Sequence, residues 1–296
     1  MPYQGELAAL LTAVFWTTTA LAYESASNKV GPLVVNMIRL VMAFILLFTF
    51  TIFYRGIPLS WDATPHAWLW LSVSGIIGFV FGDYCLFKSY TILNSRIAML
   101  IMTLVPPITA LIGYVFLNET MSLQHIAGMV LTLSGIAIAI LNRANGERKV
   151  NLKYPIKGVL YAMGGAVGQA VGLIFSKYGM GTYDAFAASH IRITAGMLGF
   201  ALIVVALRKT GQVVETLKNK QVISSIALGS VFGPFLGVSL SLIAIKHTST
   251  GIASTLMSIV PVLIIVPYIL IYKQKISMRE ILGAVVSVLG VVLFFV

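Results

Sequence analysis

Charge is what this sequence has least of. Only 10% of its 296 residues are Asp, Glu, Lys or Arg, where a water-soluble domain carries roughly 25%. A chain that is 58% hydrophobic with a mean hydropathy of +0.96 cannot keep its surface wet, so an integral membrane protein is the class that remains. Cysteine is nearly absent, and the single Cys85 excludes a disulfide framework and a cysteine-built zinc site. The 4 histidines are scattered, so no metal site is expected. Acidic residues number 9 against 20 basic ones, a balance of +11. Most of that excess falls in short loops between apolar runs, which reflects membrane topology, and no nucleic-acid partner is expected. The start, MPYQGELAALL, lacks a basic segment, so no cleavable leader is read there. Neither HExxH nor a Walker A loop occurs. Gly82-Asp83 and Tyr183-Asp184 resemble the paired aspartates of presenilin-like proteases, but the order of the two motifs is reversed and the first glycine is replaced by Val80. The chain is therefore not read as an enzyme; no catalytic residue and no cofactor is assigned, and nothing points to drive by ATP.

What the sequence does have is long apolar runs. Ten are separated by polar or Gly/Pro breaks, at residues 5–23, 32–54, 67–87, 97–117, 123–141, 156–176, 185–207, 222–245, 251–272 and 281–296. Each is close to the ~20 residues that one helix needs to cross a bilayer, and the short alternating strands of an outer-membrane barrel are not seen. The chain is organised around residues 95–119, where Pro106 and Pro107 interrupt an apolar run. A mid-helix proline leaves a carbonyl without its amide donor, tolerated in lipid where a neighbouring helix or a cavity supplies a partner. Residues 250–274 echo this segment: at an offset of 155, Ala98 falls on Ala253, Met102 on Met257, Thr103 on Ser258 and Pro106 on Pro261.

The echo extends through the chain. At an offset of 153, Gly5 matches Gly158, Ile38 matches Ile191 and Arg39 matches Arg192; at 155, Gly78 matches Gly233, Gly82 matches Gly237, Gly128 matches Gly283, Thr132 aligns with Ser287 and Gly135 matches Gly290. The expected fold is therefore all-α and membrane-integral. It has ten transmembrane helices in two five-helix copies, residues 1–142 and 158–296, joined by a basic loop at 143–157. An odd number of spans per copy makes the copies insert in opposite senses, an inverted repeat of the kind secondary transporters use. Loops after the odd-numbered spans hold 15 of the Lys and Arg residues, and the opposite loops hold Arg55, Lys177 and Lys246. The positive-inside rule then puts the first side in the cytoplasm and both termini outside. Small residues recur every four positions in the eighth span (Ser225, Gly229, Gly233, Gly237, Ser241), and similar stripes run through the third and sixth. They suit close helix packing or surfaces that slide.

Charges inside the spans are few and expensive. Arg39 and Arg192 occupy matching places in the second and seventh spans, either binding an anionic group in a central cavity or fixed in structural ion pairs. Asp83 is the one acidic residue well inside a span, expected to pair with Arg39 or Lys88. It is also the candidate proton carrier, because protonation of a buried carboxyl is sensitive to its neighbours. Its counterpart in the second copy is Val238. Thr12, Trp16, Thr19 and Tyr23 share one face of the first span, which forms a cavity wall or a helix contact. The candidate cavity set is Trp16, Thr19, Arg39, Asp83, Tyr84, Met99, Thr103, Gln169, Arg192 and Ser258, with helix breaks at Pro106, Pro107 and Pro261.

Two five-span copies, an Arg in the second span of each, the LxxxxP run, LNETMSLQHIAGMVLTLSGI and YKQKISMREILGAVVSVLGV together resemble the EamA-type drug/metabolite transporter superfamily. The resemblance covers nearly the whole chain. It implies a ten-helix basket around a central cavity, export or exchange of amino acids, other metabolites or drug-like solutes, and termini in the cytoplasm, opposite to the loop-charge reading. Its glutamate after the proline helix is matched by Glu119 but replaced by Gln274, and its lysine near the end of the first helix is matched by Lys177 while the first copy has Glu24. The expected protein is a multi-pass secondary active transporter of the plasma (inner) membrane, a monomer or homodimer in contact with lipid. It handles a small-molecule substrate, with protons as a coupling ion. The alternative is a non-transporting membrane scaffold or sensor.

Overall fold

The computed structural model describes residues 3–57, 60–116, 122–143, 150–248, 250–273 and 276–295. The described chain is helical almost throughout. Besides a short helix at Thr210–Leu217, the helices are α1 (Gln4–Val30), α2 (Pro32–Arg55), α3 (Pro65–Leu93), α4 (Ser95–Ile101 continuing through Met102–Leu104 into Val105–Phe116) and α5 (Leu123–Ile140). After them come α6 (Ile156–Met180), α7 (Ala185–Ala206), α8 (Lys220–His247), α9 (Thr250–Met257, Val260–Leu263 and Ile265–Tyr272) and α10 (Met278–Phe295). Seven of these are long and apolar enough to cross a membrane, and shorter apolar stretches lie at Ile126–Ala139 and Val260–Tyr272. Large apolar side chains face outward, among them Leu198, Leu202 and Val205 along one face of α7. In water such a face would be an aggregation site; in lipid it matches the solvent. A small antiparallel ribbon, Leu141–Arg143 with Val150–Leu152, departs from the all-α expectation where the two copies join.

Helix ends follow from local chemistry. Asn94, Asp184 and Asn219 each accept from the backbone N–H three residues on, at 3.0, 2.9 and 3.2 Å, which satisfies an orphan donor at the starts of α4, α7 and α8. Gly31 reverses the chain from α1 to α2 in a single residue because it can adopt φ +83°. Several helices outrun the apolar stretches: α1 reaches Val30 and α3 reaches Leu93. The polar residues past those stretches, such as Lys88 and Ser89, do not end a helix whose backbone bonds are already made. On one face of the molecule Arg55, Asp62 and Tyr183 tie the α2–α3 loop to the α6–α7 turn, with Arg55–Asp62 at 2.5 Å and Tyr183 donating to Asp62 at 2.8 Å. Burial opposes ionisation of Asp62, but the bonds from Arg55 and Tyr183 outweigh it and hold this carboxyl below its usual range.

Packing between the halves is reciprocal. Along α1 and α8, Gly5 meets Thr248, Trp16 meets Gly237, Thr19 meets Gly233 and Tyr23 meets Gly229. Along α6 and α3 the equivalent positions meet in the same way. Gly158 lies against Leu93, Gln169 against Gly82, Gly172 against Gly78, and Ser176 bonds Ser74 at 2.7 Å. Residue numbers rise on one helix as they fall on the other, so both pairs are antiparallel. The contact of α5 with α10 is its own image: Thr132 donates to the Ser287 carbonyl at 3.4 Å and Ser287 to the Thr132 carbonyl at 3.2 Å. Gly135 lies on Ser287 and Gly290 on Thr132. Such a two-way contact is the mark of twofold-related surfaces.

The small-residue stripes are these seams. A Cβ built on Gly168 would stand 2.5 Å from the Gly82 Cα and 2.9 Å from its N, backbone that cannot swing aside. Gly168→Ala is therefore expected to lose stability by about 1–3 kcal/mol, the usual cost of overpacking. Gly211, with nothing within 4 Å of its Cβ position, should tolerate Ala. Thermal melts of the two detergent-solubilised variants check this; equal melting points would mean that the α3–α6 seam is slack.

Candidate functional site

Among the described residues helical geometry is interrupted in four helices, and one interruption in each converges on a common space. Ile76–Asp83 of α3 and Val231–Gly237 of α8 are π-helical, at equivalent positions of the two halves. An extra residue per turn rotates the succeeding turns by about 100° relative to a regular helix. Pro234 contributes in α8 by lacking an N–H for the i−4 carbonyl. In α4 the helix tightens to a 3₁₀ turn at Met102–Leu104, just before Pro106 and Pro107 instead of at them. In α9 the break falls at Ser258 and Ile259, just before Pro261. Pro106, Pro107 and Pro261 leave the carbonyls of Met102, Thr103 and Met257 without the usual i+4 amide donor.

Between these breaks lies a cavity of about 120 Å³, lined from both halves, with room for waters or a small solute. Trp16, Thr19, Arg39, Asp83, Met99, Thr103, Gln169, Arg192 and Ser258 all line it, as does Pro261. Tyr84 does not: it packs instead beside the Leu33–Phe200 cluster, because it begins the regular helix after the π segment and turns away from the centre. Pro106 and Pro107 are also absent from the wall. Thr12, on the same face as Trp16, is a helix contact, donating to Ala8 at 2.8 Å and to the Gly237 carbonyl at 3.4 Å. Sequence reasoning missed Phe79, Phe87 and Tyr90, which also form the wall. The signal was present: they stand four before, four after and seven after Asp83, on its own helix face.

Arg39 and Asp83 form a buried ion pair through Nη2 and Oδ2, each about 95% or more buried. Every part of the pair is held. Arg39 Nε donates to Asn36 Oδ1 at 2.8 Å, and Asn36 donates in turn to the Pro32 carbonyl at 2.9 Å. Gln169 donates to Asp83 Oδ1 at 2.6 Å, so the carboxylate is gripped from α2 and α6. The guanidinium lies 4.7 Å from the centre of the Phe87 ring and 5.5 Å from that of Tyr23. Arg192 enters from the other side, 5.0 Å from the Phe79 ring, with Nη2 beside Gly78, where even a Cβ would press on it.

A second polar cluster lies toward the end bearing the α1–α2 and α3–α4 turns. Glu24 accepts from Ser95 N at 3.1 Å, from Ser95 Oγ at 2.5 Å and from Tyr268 at 3.4 Å. Beside it Glu280 pairs with Arg96 at 2.8 Å and Lys153 at 2.5 Å and accepts from Tyr154 at 2.8 Å. These bonds join α1, α4, α9, α10 and the segment before α6. Glu119 and Gln274, marked by the family resemblance, lie outside the described residues.

Removing one member of the central pair strands the other in a buried site, which costs about 3–5 kcal/mol. Arg39→Gln and Asp83→Asn should each melt markedly lower than the parent. The double variant should recover part of the loss, a coupling that a double-mutant cycle on thermal melts measures directly.

Three comparisons bear on what such a site serves. The model of the EamA-like transporter family matches the chain twice, over residues 3–141 and 156–296. An uncharacterized transporter of Clostridium kluyveri is 24% identical over 290 residues, 97% of this chain and 91% of that protein. A solved structure described only as "Crystal structure of protein" shares the fold, with a TM-score of 0.65 at 18% identity over 99% of this chain and 96% of that one. With the family model matched in both halves around a polar cavity in an apolar helical body, this chain belongs to the EamA-like transporter family and is a membrane transporter.

Proposed function

We propose that the protein is a secondary active transporter that crosses the plasma (inner) membrane ten times, as inverted copies at residues 1–142 and 158–296 joined by 143–157. It moves a small solute, as an exporter or exchanger, by rocking the copies about the central cavity. The observation that carries this reading is the cavity's position: it lies on the seam between the halves, walled by both, where all the helix breaks meet. The antiparallel, reciprocal pairing of α1–α8 with α6–α3 supports the inverted arrangement. The sequence has no Walker A loop, and the proposed drive is a proton gradient or solute exchange. Among the described residues Asp83 is the only acidic side chain in the wall, and it is the proposed coupling residue. Protonating it would release Arg39 and loosen the grip of α2 on α3.

The Glu24–Ser95 and Arg96–Glu280–Lys153 clusters are the proposed closed gate. They sit at one end of the seam, and the matching positions of the other half offer no equivalent set, with Gly251 facing Arg96 in the alignment and Gly113 facing Tyr268. The end they seal is the basic one, the cytoplasmic side by loop charge.

Purified protein in proteoliposomes is expected to move solutes from a metabolite panel, faster with a pH gradient, and Asp83→Asn should lose the gradient dependence. Unchanged flux with lowered abundance in the Asp83 and Arg39 variants would favour the scaffold or sensor reading instead. In a Cys85→Ser background, Glu280→Gln should increase labelling of Met99→Cys from the basic side; no change would remove the gate assignment.

A further inference from the structure

Resting on the transport reading of the same cavity, we infer that the transported solute is a small organic anion, a monocarboxylate with an apolar body, and that Arg192 is the residue that binds its carboxylate. The two arginines are equivalent in sequence but not in surroundings. Arg39 is saturated by Asp83, Asn36 and the Phe87 face. Arg192 is 96% buried and lines the cavity, yet among the described residues no carboxylate stands within ion-pair distance and its Nε has no hydrogen-bond partner. The reason is the asymmetry of the repeat, since the acid that serves Arg39 has Val238 as its counterpart. Among the described residues, Arg39, Asp83 and Arg192 are the charged residues of the wall, which gives that lining one positive charge in excess.

A buried cation without an ion-pair contact is costly, and the protein keeps it only where something gains from it. A guanidinium offers a planar fork of donors that matches a carboxylate. Ser254 Oγ, also buried, in the wall and without a partner, adds a hydroxyl donor from α9. The acceptors of Asp83 are already taken by Arg39 and Gln169, so the site holds no free carboxylate for an amine. The rest of the wall, Phe79, Trp16 and the methionines, suits an apolar body.

The test uses the full-length protein in detergent and three carbon frames, butyl, hexyl and benzyl, each supplied as carboxylate, neutral amide and amine. Butyrate, hexanoate or benzoate is expected to raise the Tm, with the matching amide and amine weaker or inert. Arg192→Gln should reduce the apparent affinity for the carboxylate by roughly 30-fold or more, and Arg192→Lys should fall between. Ligand-free Arg192→Gln should melt no lower than the parent, because it removes a buried charge that has no ion-pair contact; a structural arginine would show a large fall. The inference is overturned if amides or amines stabilise as well as carboxylates, if no carboxylate stabilises, or if Arg192→Gln keeps the carboxylate response. Should Arg192→Gln fail to fold, that too counts against it, while the ligand series on the parent still reports the preferred charge. Flux separates the two readings. Transport of amines independent of Arg192 would leave transport standing and remove the anion site; carboxylate binding without any flux would do the reverse.

Discussion

In the middle of a bilayer no water is available to satisfy a broken backbone, and this constraint organises the molecule. A helix that loses a hydrogen bond there must place the freed group against protein or into a polar hollow. The described chain breaks regular geometry in α3, α4, α8 and α9, and a break in each of the four borders one cavity. Outward-facing positions carry apolar side chains turned to lipid. The site is thus where the backbone is permitted to be irregular, and the irregularity is what turns Asp83 inward while Tyr84, its neighbour, turns away.

The same backbone serves both halves, and glycine makes that duplication possible. Where α6 crosses α3 and where α1 crosses α8, small residues bring the axes close, so that equivalent positions meet in equivalent ways. Without a hydrophobic force between helices in lipid, this close approach and bonds such as Ser74–Ser176 hold the halves together. The twofold contact of α5 with α10 closes the arrangement at its edge.

Side chains break the symmetry that the backbone keeps. One arginine is paired with an aspartate that a glutamine also holds, while in the other half the position equivalent to that aspartate is Val238. At the end bearing the α3–α4 turn, Glu24 caps the start of α4 through Ser95, and its counterpart is Lys177. On the alternating-access proposal, the two forms must differ in what they bind, and nearly equal halves with unequal charges would supply such a difference. Family membership accounts for the shared body; these departures are this chain's own.

Hydropathy alone dictated a membrane-embedded helical body, because burying so few charges among so many apolar residues admits no other solvent. The repeat was legible as well, since residues such as Gly78 and Gly233 recur at a constant offset. The motifs of the two halves carried the family, which the match over residues 3–141 and 156–296 bears out. Helix ends were less legible, because Lys88 and its neighbours continue a helix whose hydrogen bonds are local. Neither π segment could be read in advance, for Gly78, Gly82 and Pro234 look the same in a packing stripe as in a widened turn. The sequence offered Arg39 or Lys88 as the partner of Asp83, and the structure pairs it with Arg39, but nothing in the sequence said that Arg192 would be left with its Nε unmatched. That outcome depends on which helix faces which, and only the crossing of α2, α3, α6 and α7 in three dimensions brings one carboxylate to one guanidinium and leaves the other facing the cavity.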